Sequence, residues 1–211
     1  IYEISKYNVD FFGQDGELIR RLIVSHGETP IPPDPPKIVG KEWVSWNRDF
    51  SEITQDIVVI AQYQDVLIEI KTFNFFGELI DVSTFPYGTL INSFEIVESN
   101  EIYDHQWINK DTQLPVEFPI DLTSNIDIIK IEYSRNLDFK SYLNGYEVSV
   151  GENQDQSIKI PQFYNSKPVI RISDEGFNEL DIDEVFIPST VETIGKRAFS
   201  KNLNLSQVHF A

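Results

Sequence analysis

The chain contains no cysteine and no methionine. Without cysteine there is no disulfide, no thiolate metal ligand and no thiol nucleophile. Basic residues are scarce as well: 17 Lys and Arg stand against 34 Asp and Glu, a formal net charge of −17. The deficit is spread along the chain. Residues 1–63 hold 6 basic and 10 acidic side chains, residues 64–136 hold 4 and 13, and residues 137–211 hold 7 and 11. No basic stripe exists to hold a polyanion, which argues against nucleic acid or an anionic membrane surface as a partner. No run approaches the roughly 18 apolar residues that suggest a membrane span. A secretory leader and an initiator methionine are also lacking, and the sequence opens at Ile1 in mid-pattern. The expectation is an excised portion whose export signal and anchor lie outside it.

Chemical signatures are equally sparse. There is no G-x-S-x-G, no phosphate-cradling G-x-x-x-x-G-K-[ST] and no G-x-G-x-x-G. His26, His105 and His209 are the only histidines, and none has the i, i+3 or i, i+4 partner of a helical metal site. The acids Asp174, Glu175, Asp181, Asp183 and Glu184 lack the spaced D-x-D-x-D-G calcium loop and read as solvated loop acids. Glu98, Glu101, Asp104 and Asp111 are read the same way. Carboxylate pairs abound, but modules of about 65 residues without a deep cleft are poor hosts for glycoside hydrolysis. A non-enzyme is expected, with no catalytic, cofactor-binding or metal-binding residues and no cofactor; the binding residues stay unassigned.

What is present is repetition, with enough apolar surface (41% hydrophobic, 13% aromatic) for packed cores. Asp15-Gly16-Glu17-Leu18-Ile19 aligns with Phe76-Gly77-Glu78-Leu79-Ile80 at an offset of 61, which also carries Gly27 onto Gly88 and Trp46 onto Trp107. Farther on, Ile53–Ile57 matches Leu122–Ile126 at an offset of 69, and Tyr63 matches Tyr133 at 70. The second copy therefore carries an insertion around Pro115–Pro119 and one further residue, read as a β-bulge. Alternating apolar and polar residues predict strands over Tyr7–Phe11, Leu18–Val24, Trp43–Trp46 and Ile57–Tyr63. The same reading in copy two gives Leu67–Phe73, Leu79–Phe85, Asp104–Ile108 and Ile126–Tyr133. Thr29–Pro36, with five prolines, reads as a polyproline-like crossover. Trp46 and Trp107, on one repeat position, are expected in the core, and Trp43 with them; a sugar-binding aromatic platform is the sharper alternative. Tyr63 and Tyr133 are expected to pack.

After Arg135 the texture changes. Ile158-Lys159-Ile160-Pro161 recurs as Val185-Phe186-Ile187-Pro188 at an offset of 27. Val169–Ile172 recurs as Val191–Ile194, and Phe177 as Phe199, both at 22, the difference lying in a turn inserted at Tyr164–Lys167. A period in the low twenties fits stacked repeats that bury their apolar edges on one another. Such a stack should expose Val208 and Phe210 on its last turn, and further repeats are expected beyond Ala211.

Two resemblances follow from these residues. Asp15, Gly16, Gly27, Pro33, Gly40, Trp46, Phe50, Thr54, Asp56 and Tyr63 resemble the Listeria–Bacteroides repeat, or internalin B-repeat. Copy two resembles it through Gly77, Gly88, Trp107, Thr123 and Tyr133. Phe186–Phe199, with Leu203, Leu205, Val208 and Phe210, closely resembles the BspA-type leucine-rich repeat. The resemblances imply a mainly β (α+β) chain: a β-grasp, ubiquitin-like module over 1–64, a divergent second over 65–136, and a truncated leucine-rich-repeat array over 137–211. They also imply an extracellular bacterial surface or secreted protein, adhering to or recognising a host or neighbouring-cell protein or glycan. Purely structural spacer modules are the alternative. No nucleic acid and no membrane insertion are expected.

Overall fold

The computed structural model describes residues 4–94, 103–153 and 155–211. It is β throughout, with no helix among the described residues. The chain divides into two compact units, one of 1–68, 85–89 and 121–124, the other of 69–84, 90–120 and 125–211.

The first module comprises β1 (Lys6–Phe12), β2 (Leu18–Ser25), β3 (Lys41–Trp46) and β4 (Ile57–Asp65), ordered β2-β1-β4-β3. The central strands β1 and β4 run parallel, pairing Val9 with Ile57. Period-2 patterning sends Val9, Phe11 and Val59 to one face, where they are fully buried with Val24 and Ile53. Burying side chains of this kind contributes roughly 1.5–3 kcal/mol each. This is the β-grasp strand order, but its usual helix is replaced. Between β2 and β3 the proline-rich crossover has no regular structure, because five prolines remove amide donors and fix φ.

The second module uses β5 (Leu67–Phe73), β6 (Leu79–Pro86), β7 (Thr89–Ile91), β8 (Tyr103–Asn109), β9 (Ile120–Leu122) and β10 (Ile126–Ser134). Its main sheet is ordered β6-β5-β10-β8, and β7 pairs with β9. Again the central pair is parallel, now joining Ile70 to Ile126. Adding 61 to Val9 and 69 to Ile57 gives this same pair, so both sequence offsets meet in one register. The repeat positions do the same work twice. Gly27 N–H donates to the Ile53 carbonyl at 2.8 Å, and Gly88 N–H to the Leu122 carbonyl at 2.7 Å. Both glycines take φ near +80° (80° and 79°), which a side chain would strain. Asp56 Oδ1 accepts Asn8 N–H at 2.7 Å, and Asn125 Oδ1 accepts Glu69 N–H at 2.9 Å.

The expected bulge is found in the first copy rather than the second. Trp43 faces Tyr63 and Trp46 faces Ala61, with a register shift between Trp43 and Ser45. In the second copy Asp104 faces Tyr133 and Trp107 faces Lys130 without a shift. The extra residue of β10 restores a regular ladder where the first copy is irregular.

The remaining strands are β11 (Asp138–Tyr142), β12 (Gly145–Ser149), β13 (Ser157–Lys159), β14 (Phe163–Tyr164), β15 (Lys167–Ile172), β16 (Glu184–Ile187), β17 (Thr193–Ile194) and β18 (Gln207–Phe210). After the β11–β12 hairpin the chain stacks in two parallel ladders, β12-β15-β17 and β13-β16-β18. The turn at Tyr164–Lys167 joins β14 to β15, with Asn165 and Ser166 at φ 45° and 60°, the left-handed pair of a tight hairpin. Ile158, Val169, Ile172, Phe177 and Val185 are fully buried between the ladders. Gly195 allows the turns to approach: a Cβ there would lie 2.5 Å from Asp174 N. On the last turn Val208 and Phe210 are 44% and 64% exposed.

Candidate binding cleft

The residues singled out in the sequence mostly serve the folding units. Trp46 is half-buried and packs edge-on against Phe11, ring centroids 5.0 Å apart. Trp107 is half-buried against Phe94 at 4.9 Å. Trp43 departs from expectation: it is 42% exposed. The bulge returns it to the core side of β3, but on an edge strand, where it has Tyr63 across the ladder and the Trp46 ring beside it. Tyr63 donates its hydroxyl proton to the Pro36 carbonyl at 2.6 Å, fastening the crossover. Burial raises the pKa of both Tyr63 and Tyr133.

The loop acids of the array are exposed but not merely solvated. Asp174 accepts Lys196 N–H at 2.9 Å, Glu175 pairs with Arg197, Glu179 with Lys201, and Asp181 accepts from Asn204 at 2.5 Å. Each of these four acids meets a base or amide of the next turn, 22 or 23 residues on; Glu184 is instead a half-buried residue of β16, accepting from Ser157 Oγ at 2.7 Å. Exposed pairs of this kind add little stability; they favour one stacking register. Among the described residues no group of three His, Cys, Asp or Glu could hold a metal ion. Asp104 pairs with Arg135 at 2.8 Å, and Asp111 is exposed; Glu98 and Glu101 lie outside the described residues.

The three histidines are not brought together. His26 lies beside Tyr7, its Nδ1 3.5 Å from the hydroxyl. His105 has a side chain only 3% exposed, with Nε2 3.6 Å from Glu132 Oε1. Burial lowers its pKa, as does the charge of Lys130, against the opposing pull of Glu132 and Asp104. His209 Nε2 lies 3.4 Å from Glu184, and its ring stacks on Phe186 at 4.4 Å.

Around that stack the second unit forms a half-open cleft of about 280 Å³. One wall is aromatic. Phe75, Phe76 and Phe186 meet with centroids 5.4–6.0 Å apart, and Phe76 is 58% exposed. The rest of the lining carries charge: Lys130 and Glu132 from β10, and Lys159 from β13, whose Nζ lies 5.5 Å from the centre of the Phe186 ring. Lys159 Nζ donates to Glu132 Oε2 at 2.7 Å and lies 4.1 Å from the centre of the Tyr103 ring. Burial alone would raise the Glu132 pKa, but the hydrogen bond and charge of Lys159, with His105 and Lys130, hold it below the usual glutamate value.

No family model matches the chain, and no curated protein matches it. Among solved structures it is similar to a leucine-rich repeat protein from Bacteroides capillosus. The two are 25% identical with a TM-score of 0.33, over 36% of this chain and 62% of that one. The chain thus spans under two thirds of that protein's length.

Sequence reasoning did not find the cleft. Part of its wall was within reach: Lys159 pairs with Phe186, and Phe186 with His209, across three parallel strands. Residues one repeat apart must lie side by side in a stacked ladder. Nothing in the spacing links that row to Phe75, Phe76, Lys130 or Glu132.

Proposed function

We propose that this chain is a non-enzymatic recognition segment of an extracellular bacterial surface protein, binding a host or neighbouring-cell protein or glycan. The finer assignment belongs to the same proposal: two internalin B-repeat-like modules ahead of a BspA-type leucine-rich-repeat array. The observation that carries the reading is the cleft of the second unit, which an aromatic cluster with the exposed Phe76 shares with charged side chains. Sites with an apolar body and a few converging polar groups are built to hold a ligand.

The test is to present the full chain to a panel of glycans and extracellular-matrix proteins. Saturable binding to one chemical class supports recognition. No binding to any member overturns it in favour of the spacer reading, which has its own support. The second module is fastened to the array by backbone-directed bonds: Lys159 N–H to Ser134 Oγ at 3.0 Å, and Phe163 N–H to Gln106 Oε1 at 3.2 Å. That fastening suits a stiff spacer.

A further inference from the structure

The cleft differs in charge from the molecule that carries it. The chain has a formal charge of −17, yet the cleft is lined by two lysines and one glutamate. Lys159 is engaged by Glu132 at 2.7 Å and by the Tyr103 ring. The Lys130 ammonium makes no hydrogen bond or ion pair among the described residues; its charge acts on His105 and Glu132 only through space. An ammonium group with no acceptor thus lines a mostly apolar recess that the exposed Phe76 also lines.

Two features narrow the ligand. The volume, about 280 Å³, lies just below the usual range for small-molecule sites, roughly 300–1,000 Å³. It admits a single ring with its substituents. Finally, the lining needs an anion on a body with a flat apolar face: the anion for Lys130, the face for Phe76. Glu132, whose Oε1 has only the distant His105 Nε2 beside it, can accept from a hydroxyl.

We infer that the cleft binds a pyranose ring bearing a carboxylate, as in a uronic-acid or sialic-acid unit of an acidic glycan. The ring's C–H face lies on Phe76, its carboxylate on Lys130, and a hydroxyl on Glu132. The inference rests on the recognition reading and gives it a ligand class.

The experiment is titration of the ¹⁵N-labelled full chain with glucuronate, N-acetylneuraminate and glucose, followed by amide shifts, alongside an acidic glycan panel. Saturable shifts at Phe75, Phe76 and Lys130 are expected with one or both acidic sugars, and the responsive arm identifies the source. Loss of a charge-assisted hydrogen bond in Lys130→Gln should weaken binding about tenfold. Phe76→Ala, at an exposed turn, should weaken it with the rest of the spectrum unchanged. Glucose binding as tightly as the acidic sugars, no saturable shifts, or tighter binding of a short glutamate–phenylalanine peptide would each overturn the inference. If the panel shows glycan binding that neither substitution alters, recognition stands and the cleft assignment fails. If no glycan or matrix protein binds at all, both fail.

Discussion

Gln106 and Phe163 exchange a pair of hydrogen bonds, the side-chain amide of one meeting the backbone of the other. Phe163 N–H donates to Gln106 Oε1 at 3.2 Å, and Gln106 Nε2 donates to the Phe163 carbonyl. The glutamine acts as one residue of a ladder, tying β8 to the start of the repeat array. Around it Ile108, Ile131 and Phe163 are buried together. Gln106→Leu would leave both backbone groups of Phe163 without partners, at a cost of about 1–3 kcal/mol. Urea denaturation should show an earlier midpoint with unchanged slope. An unchanged midpoint would mean that water replaces the glutamine freely.

Asp56 and Asn125 occupy one position of the two copies and accept the amides of Asn8 and Glu69. The bond shared by the two copies asks for an acceptor oxygen, not a charge; Asp56 adds a second, its Oδ2 accepting from Asn8 Nδ2 at 3.4 Å. Asn125→Asp should therefore change stability by under about 0.5 kcal/mol, whereas alanine at either place should cost roughly 1–2 kcal/mol. Amide hydrogen exchange at Asn8 and Glu69 reports the loss locally, and each alanine should speed exchange in its own copy alone.

Acid should weaken the second unit through His105. Its pKa is lowered from 6.5, first by burial and then by Lys130, with Glu132 and Asp104 opposing. The folded state holds this proton less tightly than the unfolded chain, so its contribution is complete above pH 6.5. It is lost as pH falls through the depressed folded value, where the unfolded chain has already taken up its proton. Glu132, also depressed, has the same sign below the ordinary glutamate range. In His105→Gln the drop in urea midpoint between pH 7 and pH 5 should be smaller than in the parent chain. An equal drop would place the acid sensitivity elsewhere.

Phe177 is fully buried and stacks on the half-buried Phe199 of the next turn, centroids 5.6 Å apart. Phe177→Ala should cost about 3–5 kcal/mol and Phe199→Ala less. Thermal unfolding of the two variants should rank them in that order. The reverse order would contradict the stacked burial.

The strands were legible because residues facing a common core repeat every second position, and because duplication placed the same glycines and aromatics at fixed offsets. The offsets even carried the register, since Val9 with Ile57 and Ile70 with Ile126 are one pairing seen twice. Trp43 was misread because side-chain type reports apolarity, while burial on an edge strand depends on what covers it. The bulge was expected from the change of offset between 69 and 70, but an offset does not say which copy is regular. The array acids looked solvated when read along the chain; their partners lie one turn away. The cleft drew on a hairpin turn, two strands of one sheet and two array strands, which only the folded chain assembles.

The central claim is that the recurring residues do the same backbone and packing work in both copies. Scalar couplings across hydrogen bonds, measured by NMR on the full chain, test it most directly. The account predicts a coupling from Gly27 N–H to the Ile53 carbonyl and a matching one from Gly88 N–H to the Leu122 carbonyl. A coupling in one copy with a different acceptor, or none, in the other would contradict it.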